Sequence, residues 1–169
     1  EIDVVKKPDV AIFPTGTEII ELGEEIKEGS ILESNSRMFE NMVTTMGGNG
    51  HRFPPIKDDY DEILSKVSDA ADKYDMVIIN AGSSAGTEDY TVHVLRELGE
   101  VIVHGVAIKP GKPVILAMVK NKPVIGLPGY PVSAYIGFEN FVAPLLSIMG
   151  RRNEAVNEQI EAHISKRIV

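Results

Sequence analysis

The chain has 169 residues, enough to bury one sizeable core and cramped for two compact domains. A hydrophobic share of 43% with 25% charged residues is that of an ordinary globular protein, and a net charge of −8 argues against a duplex-binding face, which needs basic residues to replace counterions. The absence of cysteine excludes disulfides, thiolate metal sites and cysteine nucleophiles, and is compatible with a reducing cytoplasm.

In chain order, Val10 to Phe13 is a short apolar run ending in Pro14-Thr15-Gly16-Thr17, the pattern of a buried strand entering a tight loop. Residues 21–33 are charged, carry glycines and show no period, and read as a connection. Phe39, Met42, Val43 and Met46 follow helical spacing, and Gly47-Gly48 stops that helix. Tyr60, Ile63, Leu64, Val67 and Ala71 repeat the spacing, with Asp59 and Glu62 placed as a helix-starting capping pair. Met76 to Ile79 is continuously apolar, as in a strand covered on both faces, and Tyr90 to Leu98 reads as a short helix. Val101, Val103 and Ala107 alternate along one strand. Pro113 to Val119 and Pro123 to Leu127 form two strands joined by Lys120-Asn121-Lys122, a hairpin by its length. Ser133 to Met149 is an amphipathic helix whose inner side carries Phe138, Phe141, Val142, Leu145 and Met149.

This alternation predicts a three-layer α/β/α domain over residues 1–150, with a mostly parallel sheet and an antiparallel edge hairpin. Residues 151–169 turn polar and read as a linker, an exit toward a further domain. The start at Glu1-Ile2-Asp3 is not a signal peptide and lacks methionine, which is expected of a domain cut from a longer chain, although processing would look the same. No apolar run reads as long enough to span a bilayer, so no membrane partner is expected.

Four glycine-bearing loops are predicted at the carboxyl ends of strands, where open parallel sheets bind ligands. They are 14–18, 80–86, 109–113 and 127–131. Any one of them reads as a plain turn. Several at one sheet edge, two of them followed by helices, make a pocket for phosphate or a similar oxyanion. Lys109 and Lys112 flank Pro110-Gly111 and would neutralise a phosphate there, where isolated surface lysines would only be solvated. With Asp59 engaged as a cap, Asp58 is left free, and Asp89 follows Gly86 at a helix start. Asp89 is either an N-cap or, with Asp58, a holder of a divalent cation or of an oxyanion's counter-ion. His51, His93, His104 and His163 lack metal-ligand spacing, and Tyr60, Tyr90 and Tyr135 read as packing residues.

Together the segments Thr15-Gly16-Thr17-Glu18, Ser34-Asn35-Ser36, Asp58-Asp59, Gly82-Ser83-Ser84-Ala85-Gly86-Thr87-Glu88-Asp89-Tyr90, Lys109-Pro110-Gly111-Lys112-Pro113 and Leu127-Pro128-Gly129-Tyr130-Pro131-Val132-Ser133-Ala134 resemble the molybdopterin-binding domain of the molybdopterin adenylyltransferase and molybdenumtransferase families. The loop at 82–90 is more similar to that of the molybdenumtransferases, because no arginine adjoins Asp89. Two positions depart from the family pattern: Ala81 precedes Gly82 where a glycine is usual, and Tyr130 replaces an asparagine.

The resemblance implies a cytoplasmic enzyme of molybdenum cofactor biosynthesis, a molybdopterin molybdenumtransferase or a fragment of one. It would bind adenylylated molybdopterin and insert molybdenum from molybdate, with Mg2+, as a homo-oligomer receiving its pterin from an adenylyltransferase. Asp89 and Asp58 would then be the catalytic and metal-holding pair. Thr15, Gly16, Thr17, Glu18, Ser34, Asn35, Gly82, Ser83, Ser84, Gly86, Lys109, Pro110, Gly111, Lys112, Pro113, Pro128, Gly129, Pro131 and Ser133 would bind the pterin and its phosphate. Adenylyl transfer from ATP in the same pocket, or a non-catalytic pterin-binding module, are the alternatives, and Tyr130 keeps the latter open.

Overall fold

A computed structural model describes residues 2–81, 90–152 and 161–163. The strands of its main sheet are β1 (Asp9–Thr15), β4 (Asn49–Arg52), β5 (Met76–Ala81), β6 (Gly99–His104), β7 (Ile115–Val119) and β8 (Lys122–Leu127). Two short strands, β2 (Ile19–Ile20) and β3 (Ile31–Leu32), stand apart from it. The main sheet runs in the order β4-β1-β5-β8-β7-β6. β4, β1, β5 and β8 are mutually parallel, while β7 runs antiparallel to β8 and to β6.

Both faces of the sheet are covered, and the strand pleat explains how. Ala11 and Phe13 of β1, with Val77 and Ile79 of β5, face α2 (Tyr60–Lys73) and α3 (Tyr90–Leu98). Val10 and Ile12, with Met76 and Ile78, face α1 (Asn35–Thr45) and the last helix. A strand buried on both sides cannot alternate polar and apolar residues, which is why β1 and β5 read as continuous apolar runs.

The predicted three-layer α/β/α architecture is therefore present, with one shift of detail. The hairpin is not itself the edge: β8 lies inside the sheet beside β5, and β6 is the edge strand. Its turn is Lys120-Asn121, both at positive φ, the tight two-residue type that matches strand twist. β6 ends at His104, so Ala107 belongs to the following loop, and a bulge between Val101 and Val103 breaks the expected alternation.

Elements without an apolar period escaped the sequence. β4 is Asn-Gly-His-Arg, an edge strand whose Gly50 lets α1 approach: a Cβ there would stand 2.9 Å from Glu40 Cα. Within the predicted connection at 21–33, β3 pairs in parallel with β2. Two-residue strands are too short to leave a pattern.

The last helix runs from Pro131 to Met149 as α4 (Pro131–Gly137), a π-helical turn (Phe138–Val142) and α5 (Ala143–Met149). Pro144 lacks an N–H and crowds the preceding turn, and the wider π turn accommodates it. The buried residues are accordingly Ala134, Gly137, Phe138, Val142, Ala143 and Leu146, while Phe141, Leu145 and Met149 only flank the core. By length and composition alone this helix could cross a bilayer, contrary to the expectation above, but here its inner face packs on the sheet. Tyr135, expected in the packing, is exposed, whereas Tyr60 and Tyr90 meet edge to face. Beyond residue 150, the Arg152 guanidinium donates to the Met46 and Gly47 carbonyls, so the packed unit reaches at least that far. The linker read at 151–169 lies mostly outside the described residues.

At the amino end of β1, Asp9 accepts hydrogen bonds from His51 Nε2 at 3.0 Å and Asn49 Nδ2 at 3.0 Å, and pairs with Lys6 Nζ at 2.9 Å. The His51 bond, then Lys6 and Asn49, hold its carboxyl well below the usual carboxylate range. Asp75 is also held low: burial alone would raise it, but the Asp9 N–H, Lys6 and Lys122 outweigh that. A depressed folded-state pKa stabilises above the unfolded value, near about 4, and that stabilisation is lost as pH falls through the folded value. Asp9→Asn should therefore lower Tm at neutral pH and flatten its decline below about pH 4. Thermal unfolding across that range is the measurement, and parallel curves for variant and parent would remove the assignment. The cap of α2, where Asp59 Oδ1 accepts from the Glu62 N–H at 2.9 Å, gives a second expectation. Asp59→Ala should cost about 0.5–2 kcal/mol in denaturant unfolding, and Asp59→Ser should recover most of it.

Candidate functional site

The chain leaves β1 for β4 on one side and later places β5 on the other, so the strand order reverses at β1. Open α/β sheets bind ligands outside the carboxyl ends of strands at such a point. A cavity of about 300 Å³ lies there, at the lower end of the size of small-molecule sites. Thr15 and Asn80 end β1 and β5, Ser34 and Asn35 open α1, and Gly129, Tyr130 and Pro131 lead into α4. Ile19, Ile31 and Leu32 of the small parallel pair supply an apolar wall.

A chain of side-chain amides fixes the floor. Asn80 is 5% exposed, and its Nδ2 donates to the Pro128 carbonyl at 2.9 Å and to that of Leu127 at 3.4 Å. Its Oδ1 therefore faces Asn35, accepting from Asn35 Nδ2 at 3.0 Å. The same Nδ2 donates to the Gly129 carbonyl at 2.7 Å. Main-chain carbonyls only accept, so the orientation of both amides is determined by the network. The end of β5, the start of α1 and the loop after β8 are thereby joined.

The start of α1 is capped from one residue further back than usual. Ser34 makes no side-chain cap, and buried Glu33 accepts from the Ser36 N–H at 2.7 Å and from Ser36 Oγ at 2.6 Å. A carboxylate there complements the positive end of the helix. Arg52 Nη1 binds Glu21 Oε1 at 2.7 Å and lies 3.8 Å from Glu33 Oε2, tying the 21–33 excursion to β4.

The sequence-predicted residues divide into groups. Thr15, Ser34, Asn35, Gly129 and Pro131 line the cleft, and Pro128 contributes its carbonyl to the floor. Gly16 is buried at φ +148°, with its N–H on the Ile56 carbonyl, and the Glu18 carbonyl accepts from Ile31 to hold the apolar wall. Asp58 is not the free carboxylate expected: its Oδ2 accepts from the Thr17 N–H at 3.2 Å and from Thr17 Oγ1 at 3.4 Å, clasping the loop after β1. Lys109, Pro110, Lys112 and Pro113 are exposed on the loop between β6 and β7, at the same end of the sheet but outside the cleft lining. Gly111 is buried at φ +110° beside the first turn of α4, where a Cβ would stand 3.5 Å from the Ser133 carbonyl. Gly82, Ser83, Ser84, Gly86 and Asp89 lie outside the described residues. Among the described residues no group of three His, Asp or Glu side chains is placed to hold a metal.

Sequence reasoning missed Glu33 and the apolar wall, and although its loops 80–86 and 127–131 include Asn80 and Tyr130, it named neither as a site residue. The one available signal was Asn80, a lone amide closing an apolar run, since a buried polar group in such a strand requires partners.

Comparison with known proteins bears on what such a cleft holds. A family described as "Probable molybdopterin binding domain" matches residues 11–147. The chain is 32% identical over 163 residues to a molybdopterin molybdenumtransferase of Staphylococcus aureus, covering 96% of this chain and 39% of that protein. The crystal structure of a molybdopterin biosynthesis MoeA protein from a Pyrococcus species superposes with a TM-score of 0.79 at 41% identity, over 86% of this chain and 36% of that one. The MoaB enzyme of Thermus thermophilus shares the fold alone, with a TM-score of 0.66 at 17% identity, over 86% of this chain and 98% of its own. The chain thus spans about two fifths of the length of the curated molybdenumtransferase it matches. With a cleft at the switch point of its sheet and the family match running across most of its length, this chain belongs to the molybdopterin-binding domain family of molybdenum cofactor biosynthesis.

Proposed function

We propose that this domain holds adenylylated molybdopterin and serves molybdenum insertion from molybdate, as part of a molybdopterin molybdenumtransferase. The observation that carries this reading is the identity along nearly the whole chain, 32%, to a protein named for that activity. The cleft supports it physically. Its apolar wall and amide floor suit a flat heterocycle, and two exposed lysines at the same sheet end suit a phosphate.

In this reading the loop from Gly82 to Gly86 cradles the phosphate with backbone N–H groups, and Lys109 and Lys112 offset its charge. Asp58 and Asp89 are the residues to hold a magnesium ion, which polarises phosphoryl oxygens when bound. The donor set suits it: Mg2+ typically takes one or two carboxylates and completes its shell with water and substrate phosphate. Asp58 would have its Oδ1 to offer, because its Oδ2 is the oxygen engaged by Thr17. Assembly as a homo-oligomer and receipt of the pterin from an adenylyltransferase belong to the same proposal.

Lys112→Ala should weaken binding of the adenylylated pterin by about 1.5–3 kcal/mol, the worth of one charge-assisted contact. The difference should shrink as salt screens the remaining attraction. Equal affinities in a titration would return Lys112 to a solvated surface role. For Asp89, asparagine retains shape and capping ability while removing the charge. Asp89→Asn should fold and bind pterin normally, yet lose turnover by about a hundredfold or more, about 2.7 kcal/mol of barrier. The assay uses the native protein that contains these residues. Near-parental turnover would leave Asp89 as a helix cap, and consumption of ATP instead of the adenylylated pterin would favour adenylyl transfer.

A further inference from the structure

The amide chain of the cleft floor leaves Asn35 Oδ1 without a partner among the described residues. Asn35 is 8% exposed, and both hydrogens of its amide are committed, to Asn80 Oδ1 and to the Gly129 carbonyl. Its Oδ1 receives no hydrogen bond from any described residue. Among those residues no fully buried side-chain polar atom is left unpaired, so this oxygen must face open space. The open space beside Asn35 is the cleft.

An amide oxygen held in this way accepts a hydrogen bond and cannot donate one, because rotating the amide would set its oxygen against two other oxygens. Phosphate, an acceptor at neutral pH, is repelled by it. Buried Glu33 on the same lining offers a phosphate no donor either, since both its oxygens accept from Ser36. The rest of the lining offers apolar and aromatic side chains. Ile31 and Leu32 form one wall, and Tyr130, 70% exposed, stands on the lining beyond Gly129. The Tyr130 backbone is fixed, since its carbonyl accepts from the Ala134 N–H at 2.8 Å. Exposed apolar and aromatic surface beside a directed acceptor favours a planar ring with a donor on its edge.

We propose that Asn35 is a specificity-determining residue: its Oδ1 accepts from an exocyclic amine on a planar heterocycle bound between Ile31, Leu32 and Tyr130. This rests on the pterin-binding reading and extends it by orienting the ligand, amine toward α1 and phosphate toward the lysine loop. Two rings of adenylylated pterin carry such an amine, the pterin and the adenine, and the geometry is the same for both.

The test uses paired probes in direct titrations. Pterin is compared with 4-hydroxypteridine, which lacks the 2-amino group, and AMP with purine riboside 5′-monophosphate, which lacks the 6-amino group. The parent protein should prefer the amine-bearing member of one pair by about tenfold, the worth of one hydrogen bond. Asn35→Ala should bring that ratio to about one. If the residue only braces the loops, the variant will weaken both members equally and keep their ratio, which overturns the proposal. A parent protein with no preference in either pair overturns it too, and that measurement stands even where Asn35→Ala does not fold. Discrimination confined to the AMP pair, with neither pteridine bound, would uphold the Asn35 assignment while refuting the pterin reading. Tight binding of both pteridines with equal affinity, and no discrimination in the AMP pair, would do the reverse.

Discussion

The carbonyls of Leu127, Pro128 and Gly129 leave the sheet where β8 ends, and two side-chain amides meet them. A buried carbonyl or amide without a partner forfeits its hydration with no return, at about 1–3 kcal/mol each. Asn80 and Asn35 must therefore be satisfied together, and the arrangement that does so locks the end of β5, the start of α1 and the loop before α4 into one piece. The sides of the cleft built by β5, α1 and α4 stand on that joint. Glu33 reinforces it from behind by capping α1, which fixes the backbone from which Asn35 projects.

The polarity of this end of the molecule is divided by the same arrangement. The described part of the cleft presents an amide oxygen, while the exposed lysines sit one loop away, beside the start of α4. A net charge of −8 is thus no obstacle to an anionic ligand, because only the local field at the phosphate matters over a Debye length of about 8–10 Å. Asp58 shows a further consequence of crowding at one sheet end: the carboxylate that clasps the Thr17 loop keeps a single oxygen for any other task.

The carboxyls with shifted pKa lie at the end of the sheet opposite the cleft. The carboxyls held below their usual range, Asp9 and Asp75, flank the amino ends of β1 and β5 and pair with Lys6, His51 and Lys122. They fasten the chain entry to the sheet and lie opposite the cleft. Shifted pKa values mark functional sites only as a tendency, because structural ion pairs shift them as well. Here the second cause applies.

Local period, and residues with one stereochemical use, carried the part of this protein that could be read before it was folded. Continuous apolar runs marked β1 and β5 as strands covered on both faces, helical spacing marked α1 and α2, and Asp59 announced the start of α2. The glycine loops at 14–18, 109–113 and 127–131 were legible as turns at one end of the sheet, because glycine and proline gathered after an apolar run break a strand. The remaining features depend on partners distant in the chain, so folding alone brings them into being. β4 and the β2–β3 pair exist because a neighbour supplies their hydrogen bonds, and their own residues carry no period. The π turn answers a proline against a packed sheet. The side-chain partners of Asp58 and Asn80 lie 41 and 45 to 48 residues away, and a hydrogen bond across that distance leaves no mark on local sequence.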